Sequence, residues 1–248
     1  MIIYLAGYKT YRNIAKKEFP NIAVLESFYD YQNISSINHK IFSHFIFDSG
    51  AFAFFNPDKK TNWEEYIDKY CNFINVNNID LFFEFDIDVI EGLPKVEKYR
   101  KKIEQLTNKQ PIPVWRPSRG YKYWQKMIAE YPYIAISASG MYDSAWTRAK
   151  GSEKILRKMV REAHQGNTKV HGLGYTSITK LPYIGWDSVD STAWLTGARY
   201  GSGIYQFIGN KLLKSKKPDN SRYIDYKPIQ LKNFNEWVKY QRYAEKYL

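Results

Sequence analysis

Short apolar segments rich in β-forming residues alternate along this chain with segments of helical periodicity. Eight strand-like runs can be counted, with Ile204–Ile208 as a possible ninth. The runs are Ile2–Ala6, Ile22–Leu25, His44–Phe47, Leu81–Phe85, Ile112–Trp115, Tyr133–Ala138, Lys169–Leu173 and Ser188–Asp190. Such alternation is typical of a parallel sheet covered by helices, and eight strands favour closure. We therefore predict an α/β fold, a single (β/α)8 TIM-like barrel with a C-terminal helix.

The length of the chain agrees with one barrel domain over residues 1–248, because a barrel of this class takes about 250 residues. The helical patterns are clearest at Trp63–Val76, Leu93–Leu106, Tyr121–Ala129, Ser152–His164 and Phe234–Tyr247. Between the barrel and the terminal helix at 234–247, the polar stretch Lys214–Tyr226 predicts an exposed loop at 214–226.

Composition narrows the possible partners and cofactors. No apolar run approaches the roughly 20 residues of a membrane span, and the first residues lack the basic leader and long apolar segment of a signal peptide, so we expect no membrane association and a cytoplasmic location. The single cysteine, Cys71, excludes an internal disulfide, and the four histidines lack metal-ligand spacing. We predict no metal and no other cofactor.

The charge of the chain favours an anionic partner. Its net charge is +12 and its aromatic content is 17%. Lysine and arginine bind phosphates, and aromatic rings stack on bases, so nucleic acid is the leading candidate. An AT-rich genome, which favours Lys, Asn, Ile and Tyr codons, would explain much of the same bias, and composition alone does not separate the two explanations.

The stretch from Trp186 to Gly201 carries the first candidate for chemistry. Its alternation places Trp186, Ser188 and Asp190 on one face of a short strand, with Asp187 and Val189 on the other. A carboxylate at the strand end is placed to react, and Arg199 and Arg148 are candidates for holding an anionic substrate. An Asp-Ser turn without function would give the same local pattern.

Acidic residues also follow the third and fourth runs. Asp48 ends the third, and Gly50 lets the backbone turn close to a ligand, although Asp-Ser-Gly is also an ordinary turn and a good helix cap. The fourth run places Glu84, Asp86 and Asp88 on one face and Phe83, Phe85 and Ile87 on the other. We expect these acids to point into the barrel, where repulsion and burial raise the pKa of at least one of them, unless the run is an edge strand whose acids face water.

Three later strand ends carry polar or small residues. They are Trp115-Arg116, Ser139-Gly140 and His171-Gly172-Leu173-Gly174. Glycines here open a pocket or present backbone groups to a ligand, or simply form turns. His171 has no second histidine at metal spacing, which indicates a pocket or core histidine.

Taken in order, these motifs resemble those of the guanine transglycosylase superfamily, whose members exchange guanine in nucleic acid for a 7-deazaguanine. The family's Asp-Ser-Gly-Gly-Phe-Gln motif is similar to the segment from Asp48 to Ala53. Its nucleophilic aspartate, followed by an arginine-rich segment, resembles Asp190 with Ala198 to Gly201 behind it. Its base-recognising aspartate resembles Asp86 or Asp88, and its base-contacting glycine resembles Gly140.

Two departures from the family pattern bear on substrate. Ala53 stands where the family has glutamine, and the Cys-x-Cys-x-x-Cys zinc element of the tRNA enzymes is missing. The sequence therefore resembles most the zinc-free DNA transglycosylases of phages and of bacterial DNA-modification systems, and a phage protein would work in the host cytoplasm.

The resemblance implies replacement of guanine in DNA by a preQ0-like 7-deazaguanine through a covalent Asp190-glycosyl intermediate, with Asp48 as general acid or base. The candidate substrate-binding residues are Ser49, Phe52, Asp86, Asp88, Trp115, Arg116, Gly140, His171 and Arg199, with Phe52 and Trp115 stacking on the base. The alternatives are a tRNA enzyme, a protein that only binds nucleic acid or a free deazapurine, and a glycoside hydrolase, against which the charge of +12 argues.

Overall fold

A computed structural model of the protein describes residues 1–54, 61–137, 149, 151–175, 177–199, 203–215 and 225–248, without the side chains of residues 52 and 197–199. The predicted residues Gly140 and Arg148, and most of the predicted loop at 214–226, lie outside the described residues.

Strands and helices alternate through most of the described chain. The strands are β1 (Ile2–Ala6), β2 (Ala23–Ser27), β3 (His44–Asp48), β4 (Val114–Trp115), β5 (Tyr133–Ser137), β6 (Lys169–Leu173), β7 (Ser188–Ser191), β8 (Ile204–Ile208) and β9 (Lys211–Ser215). The helices are α1 (Tyr8–Ala15), α2 (Phe28–Tyr31), α3 (Trp63–Asn77), α4 (Asp88–Glu91), α5 (Leu93–Thr107), α6 (Tyr121–Glu130), α7 (Ser152–Gln165), α8 (Leu181–Ile184), α9 (Ala193–Arg199) and α10 (Lys227–Tyr247).

Seven of the strands form one sheet in the order β3-β2-β1-β7-β6-β5-β4, and all its pairs are parallel. The α/β class is therefore confirmed. Of the eight predicted strands, the fourth, Leu81–Phe85, is not formed as a strand. This segment makes only two isolated parallel bridges, Phe47 with Phe82 and Phe83 with Ile112, because the chain then turns into α4. The observed sheet has seven strands and curls around a concave face.

The C-terminal part of the chain differs from the prediction in two respects. The possible ninth strand is β8, which pairs antiparallel with the unpredicted β9 in a separate hairpin. Lys214 and Ser215 therefore belong to a strand and not to the predicted loop. The last helix begins at Lys227, seven residues before the predicted Phe234, and packs against β1, β8 and α1.

Alternation along the parallel strands divides the core into two layers. Tyr4, Leu25, Ile46 and Ala135 pack together with Phe83 on the concave side of the sheet. Their neighbours Ile3, Val24 and Ile136 pack outward against helices. Because parallel strands end at one edge, side chains of the concave face at the carboxyl ends come together there. None of the described helices is long and apolar enough to cross a membrane.

Candidate functional site

Asp190 lies near the end of β7, and its carboxylate is held from two sides. The backbone N–H of Gly174 donates to Oδ1 at 2.5 Å, and Nε2 of His171 lies 3.1 Å from the same oxygen. His171 is fully buried on the neighbouring strand β6, and Asp190 is 7% exposed. Both contacts fall on Oδ1, and no described residue donates to Oδ2. The contacts at Oδ1 thus orient the group, while Oδ2 has no donor among the described residues.

A hydrogen-bonded chain continues behind His171. Its Nδ1 contacts Oγ of Ser188, which in turn contacts the hydroxyl of Tyr133. Burial raises the pKa of Tyr133 to about 12, so this hydroxyl keeps its proton and acts as a donor. An ionised Asp190 can only accept a hydrogen bond. Nε2 of His171, which faces it, therefore carries the imidazole proton, and Nδ1 accepts from the Ser188 hydroxyl. With the protons placed in this way, each of the four groups from Tyr133 to Asp190 has a hydrogen-bond partner.

His171 is also fixed by rings on the concave face. The Phe83 ring centroid lies 5.2 Å from the imidazole and that of Tyr4 lies 6.0 Å away. The prediction of a pocket or core histidine is confirmed, since His171 is a buried residue that contacts the candidate nucleophile.

Asp48, at the end of β3, is a second carboxylate of this edge. Burial raises its pKa to about 6, and the negative charge of Asp190 acts in the same direction. The backbone N–H of Gly50 donates to Oδ2 at 3.0 Å and opposes this rise. A carboxyl with this pKa can hold or release a proton close to neutral pH, as acid–base catalysis requires.

Gly50 is required by the packing of the chain itself. Its φ of +73° is in the left-handed region, and a Cβ atom there would lie 2.6 Å from Cβ of Tyr29 and 2.7 Å from Oγ of Ser27. We predicted that the backbone at Gly50 passes close to a ligand. In the structure, the residues that it approaches closely are 27–29 of the chain itself.

Asp86 is the third carboxylate, and Arg116 holds it. Nη2 of Arg116 donates to Oδ2 at 2.6 Å and to the backbone oxygen of Asp86 at 3.1 Å. Burial raises the pKa of Asp86 to about 7, Arg116 lowers it, and the charge of Asp48 raises it further. The charge of Asp190 therefore acts on Asp48, and that of Asp48 acts on Asp86.

Asp88 has a different environment. Arg119 donates to both of its oxygens, at 3.1 and 3.2 Å, and Nε of Arg116 lies 3.3 Å from Oδ1. Its side chain is 7% exposed, against 17% for Asp86. Asp88 therefore anchors the two arginines, while Asp86 keeps more of its surface for other contacts.

The prediction that Glu84 points into the barrel is wrong. Glu84 is fully buried and forms ion pairs with Arg100 of α5 and with Arg119, at 2.6 and 2.8 Å. It also accepts from the backbone N–H of Val114 at 2.8 Å. Phe83, which we expected to face the helices, instead packs on the concave face against His171. A fully buried carboxylate needs charged partners. Glu84 therefore points toward Arg100 and Arg119 and not toward the concave face, contrary to the expectation.

Two other predicted residues have roles in packing. Ser49 is fully buried, its Oγ accepts from the N–H of Ala51 and its backbone oxygen accepts from the Tyr66 hydroxyl. The Trp115 ring packs against Trp124, with centroids 5.9 Å apart, and its indole N–H donates to Gly120. Stacking of Trp115 on a base would require loss of these contacts.

Trp186 does not share a face with Ser188 and Asp190 as predicted. Its ring and the Val189 side chain both lie beside Gly172 and belong to the same hydrophobic cluster, because β7 begins only at Ser188 and the alternation does not extend back to residue 186. The side chains of Phe52 and Arg199 lie outside the described structure.

The sequence reasoning missed Tyr133, Arg119 and the role of Ser188. Tyr133 begins β5 and reaches Ser188 two strands away, a contact that no local pattern indicates. The available signal was the period-2 spacing of Ser188 and Asp190, which places both on one face of β7.

Within the described ranges, no three His, Cys, Asp or Glu side chains are grouped so as to hold a metal ion. Comparison with models of known protein families found no match, and comparison with curated proteins found none either.

Proposed function

We propose that this chain is a base-exchange transglycosylase that replaces guanine in DNA with a 7-deazaguanine. The observation that carries the proposal is the orientation of Asp190, whose Oδ1 takes both donors while Oδ2 has none among the described residues. A preoriented carboxylate with one available oxygen suits attack on an anomeric carbon.

The reaction has two displacements at C1′ of the target nucleotide. In the first, Oδ2 of Asp190 bonds to C1′, the C1′–N9 bond breaks, and its electron pair leaves with guanine, which takes a proton from the Asp48 carboxyl. In the second, the Asp48 carboxylate takes a proton from the incoming 7-deazaguanine, whose N9 displaces Asp190 from C1′. The pKa of about 6 at Asp48 supports both proton transfers.

Of the two candidate base-reading acids, the contacts favour Asp86. Guanine presents N1–H and N2–H donors on one edge, and an ionised carboxylate accepts from both. Arg116 fixes the Asp86 carboxylate, whereas both oxygens of Asp88 are already occupied by Arg119. In this proposal Arg116 does not bind the base itself but orients the Asp86 carboxylate that binds it.

The closed eight-stranded barrel expected from the sequence remains part of the proposal. The segment 81–84 hydrogen-bonds to β3 through Phe47, at 2.9 Å to both Leu81 and Phe83. It also hydrogen-bonds to Ile112, which precedes β4, at 2.7 and 3.0 Å. These bonds connect the two edges of the seven-stranded sheet and support a barrel whose fourth strand is very short.

The test is incorporation of labelled guanine into nucleic acid by the purified protein, with matched DNA and RNA offered together. We expect label in the DNA with wild-type protein and none with Asp190→Asn. The choice of DNA follows the resemblance to the zinc-free enzymes, so preferential labelling of RNA would overturn that choice and leave the exchange chemistry standing. Binding of nucleic acid without incorporation into either would overturn the enzymatic proposal.

A further inference from the structure

A basic groove lies on the outside of the sheet, between α6 and α7. We define it by Tyr121 on α6 and by Lys154, Arg157, Lys158 and Arg161 on α7, and it encloses about 540 Å³. The four cations are all exposed and recur at helical spacing, so they form one row along α7. Lys154 and Arg161 are seven residues apart, which places the ends of the row roughly 10 Å apart along the helix.

Several lysines on other helices are paired with acids, whereas the four cations of this groove are not paired with any acid among the described residues. Lys69, Lys95, Lys102 and Lys126 on α3, α5 and α6 each contact a Glu or Asp. None of the four groove cations has such a partner in the part of the chain that the structure describes. Of the two acids of α7, Glu153 pairs with Lys180, whereas Glu162 lines the groove and accepts from Tyr121 and Trp124. Four cations against this one carboxylate leave the groove with a net positive charge for an external anion.

The row of cations leads toward the candidate site. Helix α7 connects the parallel neighbours β5 and β6, so it runs from the carboxyl edge of the sheet back to the amino edge. Lys154 is therefore the groove cation closest to the edge where Asp48 and Asp190 lie, and Arg161 is the farthest.

A nucleic-acid strand fits this groove better than a membrane surface does. The apolar face of α7, formed by Leu156, Met159, Val160 and Ala163, is buried in the protein and cannot enter a lipid layer. A strand carries a phosphate charge at regular short intervals, which matches a row of cations about 10 Å long. The exposed Tyr121 ring offers a stacking surface beside the row.

We propose that the basic groove binds the phosphate backbone of the nucleic-acid substrate along α7 and guides it to the carboxyl edge of the sheet. This inference deepens the proposed function and rests on it for the identity of the substrate. Binding here is mainly electrostatic, so it is independent of sequence and weakens with salt.

The test compares the wild type with Arg157→Gln/Lys158→Gln/Arg161→Gln, using fluorescence anisotropy of a labelled DNA oligonucleotide at several salt concentrations. The matched control is Lys17→Gln/Lys101→Gln/Lys232→Gln, which removes three exposed charges on other parts of the surface. We expect the groove variant to lose about tenfold in affinity and to flatten the slope of log K against log salt by about 2 to 3. The control variant should stay close to the wild type.

Binding is measured without turnover, and Asp190→Asn protein serves equally well, so the outcome does not depend on whether exchange occurs. Equal affinities for the groove and control variants would overturn the groove proposal, even if the wild type exchanges guanine. The same holds if the groove variant loses affinity for anionic lipid vesicles and not for DNA. Weakened DNA binding in a protein that exchanges no base would support the groove and overturn only the transglycosylase chemistry. Unchanged thermal unfolding by circular dichroism establishes that each variant is folded.

Discussion

Nε2 of His171 lies 3.1 Å from Oδ1 of Asp190, and this contact orients the carboxylate on which the proposed chemistry depends. The backbone N–H of Gly174 reinforces it at the same oxygen. Two donors on one oxygen fix the rotation of the carboxylate and direct Oδ2 away from its protein partners.

The first prediction concerns the nucleophile. In Asp190→Asn the amide oxygen can still accept from Gly174 and His171, so the protein should fold normally, but the amide does not attack C1′. We expect exchange to fall by about 10³-fold or more. Denaturing electrophoresis with labelled DNA should show a covalent adduct for the wild type and none for the variant. Undiminished exchange by the variant would exclude Asp190 as the nucleophile.

Ser188 should act as a positioning residue through His171. Without its hydroxyl, as in Ser188→Ala, Nδ1 loses its donor, and the imidazole that orients Asp190 is no longer held by a hydrogen bond at that nitrogen. We expect kcat to fall about tenfold, the worth of one hydrogen bond, with KM unchanged. Tyr133→Phe, which leaves the serine hydroxyl in place, is the matched comparison and should have a smaller effect. A change confined to KM in Ser188→Ala would contradict the positioning role.

The pH dependence should reflect Asp48 and Asp86 as a coupled pair that holds one proton. The pKa of Asp48 is raised to about 6 and that of Asp86 to about 7. Exchange needs a proton on Asp48 for the departing guanine and an ionised Asp86 to read the base. With these pKa values, that form is the less populated of the two forms that hold one proton, and both forms are lost above and below this range. We expect a bell-shaped profile of kcat/KM with its maximum between about pH 6 and 7. A flat profile from pH 5 to 8 would exclude this pair from the mechanism.

The sequence predicted those features that depend on neighbouring residues. Short apolar, β-rich runs located β1 and β7, and they placed Asp48 and Asp190 at strand ends whose parallel arrangement brings them to one edge. The orientation of Glu84 could not be predicted in this way, because its partners Arg100 and Arg119 are 16 and 35 residues away along the chain. Asp86 and Asp88 are separated in role by the same arginines, so their different environments also required the tertiary structure.

Glu26 should make the stability of the protein depend on pH. Burial raises its pKa from 4.5 to about 7. The folded protein keeps this proton up to about pH 7 while the unfolded chain releases it near 4.5, so the unfolding free energy falls as pH rises between these values. Glu26→Gln keeps an acceptor for the N–H of Lys9 and should be more stable at pH 8 by on the order of 2 to 3 kcal/mol.

Urea unfolding of the wild type and of Glu26→Gln at pH 4 and pH 8 measures this difference. The exposed Glu130→Gln is the control and should follow the wild type at both values. Asp48 and Asp86 contribute in the same pH range in all three proteins, so they cancel in the comparison. Equal stability of Glu26→Gln and the wild type at pH 8 would contradict a buried, costly carboxylate at this position.

The last prediction separates backbone strain from steric overlap at the turn that carries Asp48. Gly50 and Gly120 have φ values of +73° and +74°, but a Cβ atom at Gly120 meets nothing within 4 Å, whereas one at Gly50 would lie 2.6 Å from Cβ of Tyr29. Gly120→Ala should therefore cost only the left-handed strain, about 1 to 2 kcal/mol. Gly50→Ala adds the displacement of residues 27–29 and should cost about 3 kcal/mol or more in urea unfolding. Similar losses for the two variants would show that the close approach to Tyr29 relaxes without cost.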